Sequence, residues 1–279
     1  MKYHIEHNTV QETLVIPLYG RKRCTELYPN LFWDDTALRL IDAIDYDFTA
    51  LAENSKSLMH RFGFLEVAMR QNDLAWEVRD YLQAHPRAAV VNLGCGLDDT
   101  GRRCDNGQCK IYNIDFPDVI AVRDTLLPAG AREENIGCDL NDTAWFEKID
   151  ASDGAVFFAA GVFYYFLKEQ LRTLVQAMAA AFPGGRLVFD VAGRSAVKLM
   201  LKTWIKSADI QDVGAYFSVE DPAAELTPWA SGLKVTSRGY MLGYQGLDDP
   251  SVSGLFRLLA RIGDGYMKMC IVRMEFGKK

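Results

Sequence analysis

The chain has 279 residues, of which 49% are hydrophobic and 24% are charged, and its formal net charge is −6. This composition is typical of a globular protein and excludes a disordered chain, and six cysteines are too few for a small disulfide-stabilised scaffold. The excess of acidic residues excludes a general nucleic-acid-binding protein. The polar amino-terminal residues predict that there is no signal peptide, and since no apolar run reaches about 18 residues, no membrane span is predicted either. The sequence therefore predicts a cytoplasmic protein.

The first third of the chain is predicted to be helical. Asp34 and Asp35 precede a short amphipathic run over 37–44, and acidic residues favour the first turn of a helix. A longer helix is predicted from Leu58 to Leu82, and Pro86 prevents it from continuing.

After residue 87 the pattern changes to short apolar runs separated by helices. Strands are predicted over 88–93, 110–114, 154–160, 186–190, 233–242 and 266–276, with a weak one that ends near 137–140. Helices are predicted over 118–127, 167–182, 196–207 and 251–262. Because strands that alternate with helices need crossover connections, the expected fold is α/β, with a mostly parallel seven-stranded sheet and helices on both faces.

The residues that follow these strands are the candidates for a binding site, since ligands of open parallel sheets bind outside the carboxyl ends of the strands. Gly94 and Gly96 follow the first strand of the sheet and let the backbone approach a ligand closely. Asp115 follows the next strand about 20 residues later, where a carboxylate accepts hydrogen bonds from ribose hydroxyls. The pattern predicts a nucleoside-containing cofactor.

Two classes of enzyme share this pattern, namely nicotinamide dehydrogenases and methyltransferases that use S-adenosylmethionine. The dehydrogenase pattern needs a third glycine where the pyrophosphate meets a helix, and this chain has Asp99 there, beside Asp98. Two carboxylates would repel a pyrophosphate, whereas the sulfonium of S-adenosylmethionine is positive. The methyltransferase is favoured, and an NAD-dependent oxidoreductase is the alternative.

Four segments resemble the leucine carboxyl methyltransferase family, which includes polyketide-associated O-methyltransferases of the tetracenomycin type. They are VVNLGCGLD at 90–98, IDFP at 114–117, CDL at 138–140 and AGVFYYF at 160–166. The similarity extends over about residues 10 to 192. It implies a Rossmann-like class I methyltransferase fold with an N-terminal helical cap, and S-adenosylmethionine as the cofactor.

The resemblance also implies how the cofactor is held. Its methionine part lies along Gly94, Cys95 and Gly96, while Asp115 binds the ribose hydroxyls and Phe116 lies against the adenine. The other implied contacts are Asp139 to the adenine amino group, Leu140 on the adenine ring and Arg70 on the cofactor carboxylate. A guanidinium suits the last task because it binds a carboxylate through two N–H groups.

Other interpretations of these side chains remain open. Arg70 has Glu66 and Asp73 at helical spacing, which also fits an exposed salt bridge. Asp115 also fits a solvated loop carboxylate, and Asp139 also fits the cap of a turn.

The chain departs from the family at Ala160, where several members have a glutamate. Without that carboxylate, one contact to the amino group of the cofactor is lost or passes to the carbonyl of Ala160. Gly161, which follows it, is also expected to line the cofactor site.

The acceptor of the methyl group is expected to be a small molecule, either a carboxylate or a phenol of a polyketide-like compound. Tyr164, Tyr165 and Asp190 are the candidate contacts, although a tyrosine also fits the core and an aspartate also fits a strand end. An ionised carboxylate needs no base and a phenol does, and the sequence identifies neither a base nor a metal site.

One domain is expected over 1–279, with a helical cap over 1–86, a cofactor-binding core over 87–192 and an acceptor region over 193–279. Besides a methyltransferase, the sequence leaves open a protein that binds S-adenosylmethionine without turnover, for which Ala160 is the hint.

Overall fold

The computed structural model describes residues 2–5, 12, 14–200, 216–244 and 246–278. Its helices are α1 (Val15–Leu27), α2 (Asp35–Ala43), α3 (Thr49–Asn54), α4 (Leu58–Ala84), α5 (Thr100–Arg103), α6 (Pro117–Leu126), α7 (Lys168–Ala181), α8 (Arg194–Met200), α9 (Pro222–Leu226) and α10 (Gly254–Gly265). Its strands are β1 (Tyr3–His4), β2 (Ile44–Asp45), β3 (Ala89–Leu93), β4 (Lys110–Asp115), β5 (Glu133–Gly137), β6 (Ala155–Ala159), β7 (Arg186–Val191), β8 (Lys234–Gly239) and β9 (Cys270–Glu275).

The central sheet has seven strands in the order β5-β4-β3-β6-β7-β9-β8. The strands β5, β4, β3, β6 and β7 pair in parallel, and β9 lies antiparallel between β7 and β8. The chain order therefore reverses between β3 and β6, which places a switch point in the middle of the sheet. The predicted α/β fold with a mostly parallel seven-stranded sheet is confirmed.

Helices cover both faces of this sheet. Successive side chains of a strand point to opposite faces. Val90 and Val188 belong to one apolar cluster, which they share with α4, and Val91 and Leu187 belong to a second cluster, which they share with α7. All residues of β3, β6 and β7 are buried, as expected for strands covered on both sides.

Helix α4 joins the amino-terminal region to the sheet. The side chain of Ser57 accepts a hydrogen bond from the backbone N–H of His60 at its start, and the chain turns at His85 ahead of Pro86. Helix α4 packs against β6, β7 and β9, and also against α1. The helices of 1–86 are thus more than a cap, because α4 is one layer of the sheet domain.

Helices α1 and α2 are tied together by a buried ion pair. Asp34 caps α2 by accepting from the backbone N–H of Ala37 at 2.7 Å, and its other oxygen lies 2.9 Å from Nε of Arg21 on α1. Helix α1 is absent from the sequence prediction, because the basic run at 21–23 interrupts its apolar periodicity.

The predicted boundaries differ from the structure mainly towards the carboxyl end. The weak strand near 137–140 is β5, which ends at Gly137, and the strands predicted over 233–242 and 266–276 are shorter, as β8 and β9. The helix predicted over 251–262 is α10, which begins after Ser253 because that side chain caps the N–H of Phe256. Of the helix predicted over 196–207, α8 accounts for the part to Met200, and 201–207 lie outside the described residues.

Candidate functional site

A cleft with a volume of about 420 Å³ opens at the carboxyl ends of β3, β4 and β6, where the strand order reverses. Helices α1 and α4 form its other wall. Eight of the ten predicted cofactor-binding residues line it, and Tyr165 lines it as well. The eight are Arg70, Gly94, Cys95, Gly96, Asp115, Phe116, Ala160 and Gly161.

The loop after β3 depends on its glycines for conformation and for packing. Gly94 has a φ of +66° and Gly96 has a φ of +46°. Both values lie in the left-handed region, which residues with a Cβ rarely adopt. A Cβ on Gly94 would lie 2.5 Å from Cγ2 of Val162, in the loop after β6. Glycine is therefore required at position 94 for two reasons, namely the left-handed backbone conformation and the close approach of the loop that carries Val162.

Asp115 fixes the glycine loop and faces the cleft. Its two carboxylate oxygens accept backbone N–H groups, from Gly96 at 2.7 Å and from Phe116 at 2.8 Å. Burial raises the pKa of this carboxyl, although the two N–H groups and Arg123 act in the opposite direction. Each carboxylate oxygen has a second lone pair, so Asp115 retains acceptor capacity towards a ligand. Phe116 is 48% exposed beside it and presents an open ring.

Asp98 and Asp99 are buried and bonded within the protein, and Asp98 is also among the residues that line the cleft. Asp98 accepts hydrogen bonds from Gln71 and Thr100 through one oxygen and from Asn92 at 3.0 Å through the other. Asp99 lies 3.0 Å from Nε of Arg103. These carboxylates tie the glycine loop to α4, β3 and α5.

Arg70 reaches the cleft from α4 and pairs with Asp190 at the end of β7. Its Nη1 lies 3.0 Å from Oδ2 of Asp190, whose Oδ1 accepts the backbone N–H of Gly161 at 2.6 Å. The side chains of the pair are 12% and 1% exposed. Burial opposes the charge of Arg70, but Asp190 outweighs it and the net effect raises the pKa of the guanidinium.

The salt bridge suggested for Arg70 by helical spacing is therefore replaced by a pair between residues 120 positions apart. The Nε atom of Arg70 is buried without a hydrogen-bond partner among the described residues. Buried N–H groups are rarely left unpaired, so this N–H is available to an acceptor on a ligand.

Two predicted cofactor residues lie elsewhere. Asp139 is exposed, and its carboxylate accepts hydrogen bonds from the backbone and side chain of Asn141, both at 2.9 Å. Leu140 is buried in the apolar cluster beneath β4 and β5, where its carbonyl accepts from the indole N–H of Trp145. Neither residue is among those that line the cleft.

The three predicted acceptor contacts separate in the structure. Tyr165 is 45% exposed and lines the cleft. Tyr164 is 4% exposed and lines a second pocket, and burial together with Asp190 raises the pKa of its hydroxyl far above the ordinary range. Asp190 is 2% exposed and uses both oxygens within the protein, so it holds Arg70 and Gly161 in place.

The second pocket is absent from the sequence prediction. It has a volume of about 130 Å³ and lies among α4, α8 and α10. Its walls are almost wholly apolar and include Phe62, Ala196 and Ile262, and its carboxylate is Glu66. The sequence contains one signal for this pocket, which is a glutamate within the apolar stretch of α4, four residues before Arg70. Helical spacing alone, however, suggests that this glutamate forms a salt bridge with Arg70.

The sheet order, the antiparallel β9 and the cleft at the switch point define an open α/β protein of the class I methyltransferase type. Solved structures share this fold. A DUF574 family protein from Streptomyces avermitilis superposes with a TM-score of 0.64 at 12% identity, covering 96% of this chain and 97% of its own. The plantazolicin methyltransferase BamL superposes with a TM-score of 0.53 at 13% identity, covering 97% of this chain and all of its own.

The sequence comparison identifies the family. A model of the leucine carboxyl methyltransferase family matches residues 21–179, which is more than half of the chain. The chain belongs to the leucine carboxyl methyltransferase family, a family of S-adenosylmethionine-dependent methyltransferases. The resemblance seen in the four sequence segments is thereby confirmed.

One relative supports the tetracenomycin-type branch of that family. The chain is 28% identical over 182 residues to the tetracenomycin polyketide synthesis O-methyltransferase TcmP of Streptomyces glaucescens. The alignment spans 65% of this chain and 65% of the length of that relative.

Proposed function

We propose that this protein is an S-adenosylmethionine-dependent O-methyltransferase with a small-molecule acceptor. The observation that carries the proposal is the convergence of Gly94, Asp115 and Arg70 on one cleft at the switch point of the sheet, in a chain of the leucine carboxyl methyltransferase family. The similarity to a polyketide O-methyltransferase supports an acceptor of polyketide type.

The cleft fits the cofactor chemically. Asp115 retains lone pairs for ribose hydroxyls, Phe116 offers an exposed ring for the adenine, and Arg70 has an unpaired buried N–H for the carboxylate of the methionine part. When bound, S-adenosylmethionine supplies a methyl group that is already activated by a positive sulfonium. The protein therefore needs no acid for the leaving group, and its main task is to hold the acceptor oxygen in line with that methyl group.

The contacts of Asp139 and Leu140 with the adenine stay part of the proposal, although neither residue lines the cleft. Support comes from Cys138, the residue before Asp139, whose backbone N–H donates to the carbonyl of Asp115 at 2.8 Å and so joins this segment to the end of β4. Ala160 lines the cleft at the position where several family members have a glutamate.

We further propose that the chain acts as one domain on a freely diffusing acceptor in the cytoplasm, with neither nucleic acid nor membrane as a partner. The net charge of −6 disfavours binding to phosphate backbones. Across the ranges that the structure describes, no helix has both the length and the apolar character needed to span a bilayer.

The first experiment is calorimetric titration of S-adenosylmethionine into the wild type, Asp115→Asn and a control, Asp118→Asn. Asp118 is an exposed acid on the first turn of α6, three residues away. We expect binding by the wild type and the control, and an affinity about 10 to 100 times lower for Asp115→Asn, because a hydrogen bond to a charged group contributes about 1.5–3 kcal/mol. Thermal melts establish that the variants are folded.

Equal affinity of Asp115→Asn and the wild type would contradict the assignment of Asp115 to the ribose. Absence of S-adenosylmethionine binding by the folded wild type would contradict the proposed function, and NADH would then be titrated. More than one equivalent of S-adenosylhomocysteine formed per protein with a methyl acceptor would exclude the non-catalytic alternative.

A further inference from the structure

Arg123 lies on α6 and reaches the glycine loop from the protein side. It is 1% exposed, and it is not among the residues that line the cleft. Its Nη1 donates to the carbonyl of Gly96 at 2.9 Å and to the carbonyl of Asp98 at 2.7 Å. Two carbonyls of the loop that borders the cleft are thus held by one side chain that lies outside the cleft.

The guanidinium of Arg123 is also anchored on the sheet. Its Nε donates to Oδ1 of Asn135 on β5 at 3.2 Å, and the same oxygen accepts from Nδ2 of Asn113 on β4 at 3.0 Å. Because a guanidinium is planar and its N–H groups have fixed directions, the bond to β5 limits where the other N–H groups can point. Arg123 therefore fixes the loop after β3 relative to the two neighbouring strands.

Gly96 is held on both of its backbone polar groups. Oδ2 of Asp115 accepts its N–H at 2.7 Å, and Nη1 of Arg123 donates to its carbonyl. The acidic and the basic side chain are therefore separated by the backbone of a single residue. Since Asp115 is the proposed ligand of the ribose, Arg123 is connected to that ligand both by hydrogen bonds and by its charge.

The positive charge of Arg123 is buried among uncharged acceptors. In the part of the chain that the structure describes, the hydrogen bonds of its guanidinium go to two backbone carbonyls and to the amide oxygen of Asn135. A guanidinium stays protonated in proteins. A buried charge without a directly bonded carboxylate acts more strongly on the titratable groups around it than an exposed one does.

The groups that face Asp115 make Arg123 important for its ionisation. Burial raises the pKa of Asp115, whereas the two backbone N–H groups that it accepts and the charge of Arg123 lower it. The thiols of Cys95 and Cys138 also face Asp115, but burial raises the pKa of both, so they carry no charge near neutrality. An ionised carboxylate accepts hydrogen bonds on both oxygens, and protonation would turn one acceptor into a donor.

Building on the proposed function, we propose that Arg123 is a positioning residue for S-adenosylmethionine. It holds the carbonyls of Gly96 and Asp98, so that the glycine loop keeps its conformation along the cofactor, and its charge stabilises the carboxylate of Asp115 that binds the ribose hydroxyls. Arg123 has no contact with the cofactor itself, because it acts through the loop and through Asp115.

Two substitutions separate the geometry of this side chain from its charge. Arg123→Lys keeps the positive charge, but an ammonium cannot bind Asn135 and two carbonyls with the geometry of a guanidinium. Arg123→Met removes both the charge and the hydrogen bonds and retains an unbranched side chain. Arg172→Met, at an exposed position of α7, is the control for the loss of an arginine.

The first measurement is the affinity for S-adenosylhomocysteine at about pH 7, by calorimetry. We expect Arg123→Met and Arg123→Lys to bind it at least about 10 times more weakly than the wild type, because the loop carbonyls lose donors with the correct geometry. Arg172→Met is expected to bind it as the wild type does. Wild-type affinity in Arg123→Met would overturn the proposal.

The second measurement is the same affinity as a function of pH, between about pH 5 and 7, where the ligand keeps both its carboxylate and its ammonium charged. Loss of a nearby cation raises the pKa of a carboxyl, so Asp115 takes up its proton at a higher pH. The decrease in affinity on acidification is therefore expected about 1 pH unit higher in Arg123→Met than in the wild type, and at the wild-type pH in Arg123→Lys. The same acid dependence in Arg123→Met and the wild type would overturn the role of the charge.

Asp115→Asn identifies the group that titrates. When Arg123→Met is made in the Asp115→Asn background, it is expected to leave the pH dependence of binding unchanged, because the carboxyl is absent. A shift that persists in this background would assign the titration to another group and would overturn the proposed connection between Arg123 and Asp115.

Thermal melts establish which variants are folded. If Arg123→Met does not fold, the double variant Asn135→Asp/Asp124→Asn tests the charge instead. Nδ2 of Asn135 donates to Oδ1 of Asp124 at 2.7 Å, so this exchange places a carboxylate beside Arg123 without changing the net charge. The bonds of Arg123 to the glycine loop remain, and the acid decrease in affinity is again expected at a higher pH than in the wild type.

These results are separate from those that test the proposed function. If the wild type binds S-adenosylmethionine and methylates an acceptor while Arg123→Met behaves as the wild type does, the chain is a methyltransferase and the role of Arg123 is wrong. If the folded wild type binds neither S-adenosylmethionine nor S-adenosylhomocysteine, the proposed function itself fails.

Discussion

Gly94→Ala tests whether the glycine loop is fixed by the protein itself, before any cofactor binds. The substitution places a Cβ at a φ of +66°, 2.5 Å from Cγ2 and 2.9 Å from Cγ1 of Val162. The left-handed conformation costs a residue with a Cβ about 1–2 kcal/mol, and overlap in a packed region adds about 1–3 kcal/mol. We expect the free energy of unfolding to fall by about 2–5 kcal/mol, which is the sum of these two costs.

Two control variants separate the two contributions. Gly107 has a φ of +81°, and a Cβ at this position would meet nothing within 4 Å, so Gly107→Ala is expected to show the conformational cost alone, about 1–2 kcal/mol. The double variant Gly94→Ala/Val162→Ala removes both methyl groups that overlap. A double-mutant cycle is therefore expected to show a favourable coupling of about 1–3 kcal/mol between positions 94 and 162.

Urea unfolding followed by circular dichroism measures these free energies, with the slope of the transition checked for each variant. The overlap with Val162 is refuted if Gly94→Ala is no more destabilising than Gly107→Ala, or if the cycle shows no coupling. Calorimetry on the double variant then reports whether its glycine loop still binds S-adenosylmethionine.

Three further predictions concern charged groups. Arg70→Lys is expected to lower the affinity for S-adenosylmethionine about tenfold in calorimetry, because an ammonium cannot bind Asp190 and the cofactor carboxylate with the geometry of a guanidinium. Burial raises the pKa of Glu66 from 4.5 to about 7, so the folded state holds the carboxyl proton of Glu66 more tightly than the unfolded state does. The contribution of Glu66 to stability therefore falls as pH rises through that range. Melting temperatures should therefore favour Glu66→Gln over the wild type more at about pH 8 than at about pH 5, and a pH-independent difference would contradict the shift. Asp98→Ala is expected to lower the free energy of unfolding by about 3–5 kcal/mol, because it leaves several buried donors unpaired. Asp139→Ala, at an exposed position, should change the free energy of unfolding by less than about 0.5 kcal/mol. Similar urea midpoints for the two variants would refute this prediction.

The parts of the fold that the sequence predicts well are those with strong local signals. Helix α4 has a long apolar period with a proline just beyond its end, and β3 and β6 are short apolar runs between turns. The weak signal is that of β5, which lies at one edge of the sheet. In β5 the buried residue is Ile136, and its polar neighbours hide the strand period.

The residues of the candidate site also differ in how well the sequence predicts their positions. The glycine loop and Asp115 are neighbours of strands, so the alternation of strands and helices is sufficient to bring them together. The pairing of Arg70 with Asp190 joins residues 120 positions apart and depends on how α4 crosses the sheet. The surroundings of Glu66 are hidden for the same reason, since the placement of α8 and α10 beside α4 makes this half-buried helical glutamate part of a pocket.

The position of β9 has a consequence for how this protein is made. Strand β9 pairs with β7 on one side and with β8 on the other, although it follows both in the chain. Until residues 270–275 have been synthesised, β7 remains an unpaired edge on the nascent chain, although all of its residues are buried in the folded protein. Such an edge is a template for pairing with other chains. Ribosome stalling or cleavage ahead of Cys270 is therefore expected to leave products that require chaperones or aggregate, even though their glycine loop and Asp115 are already complete.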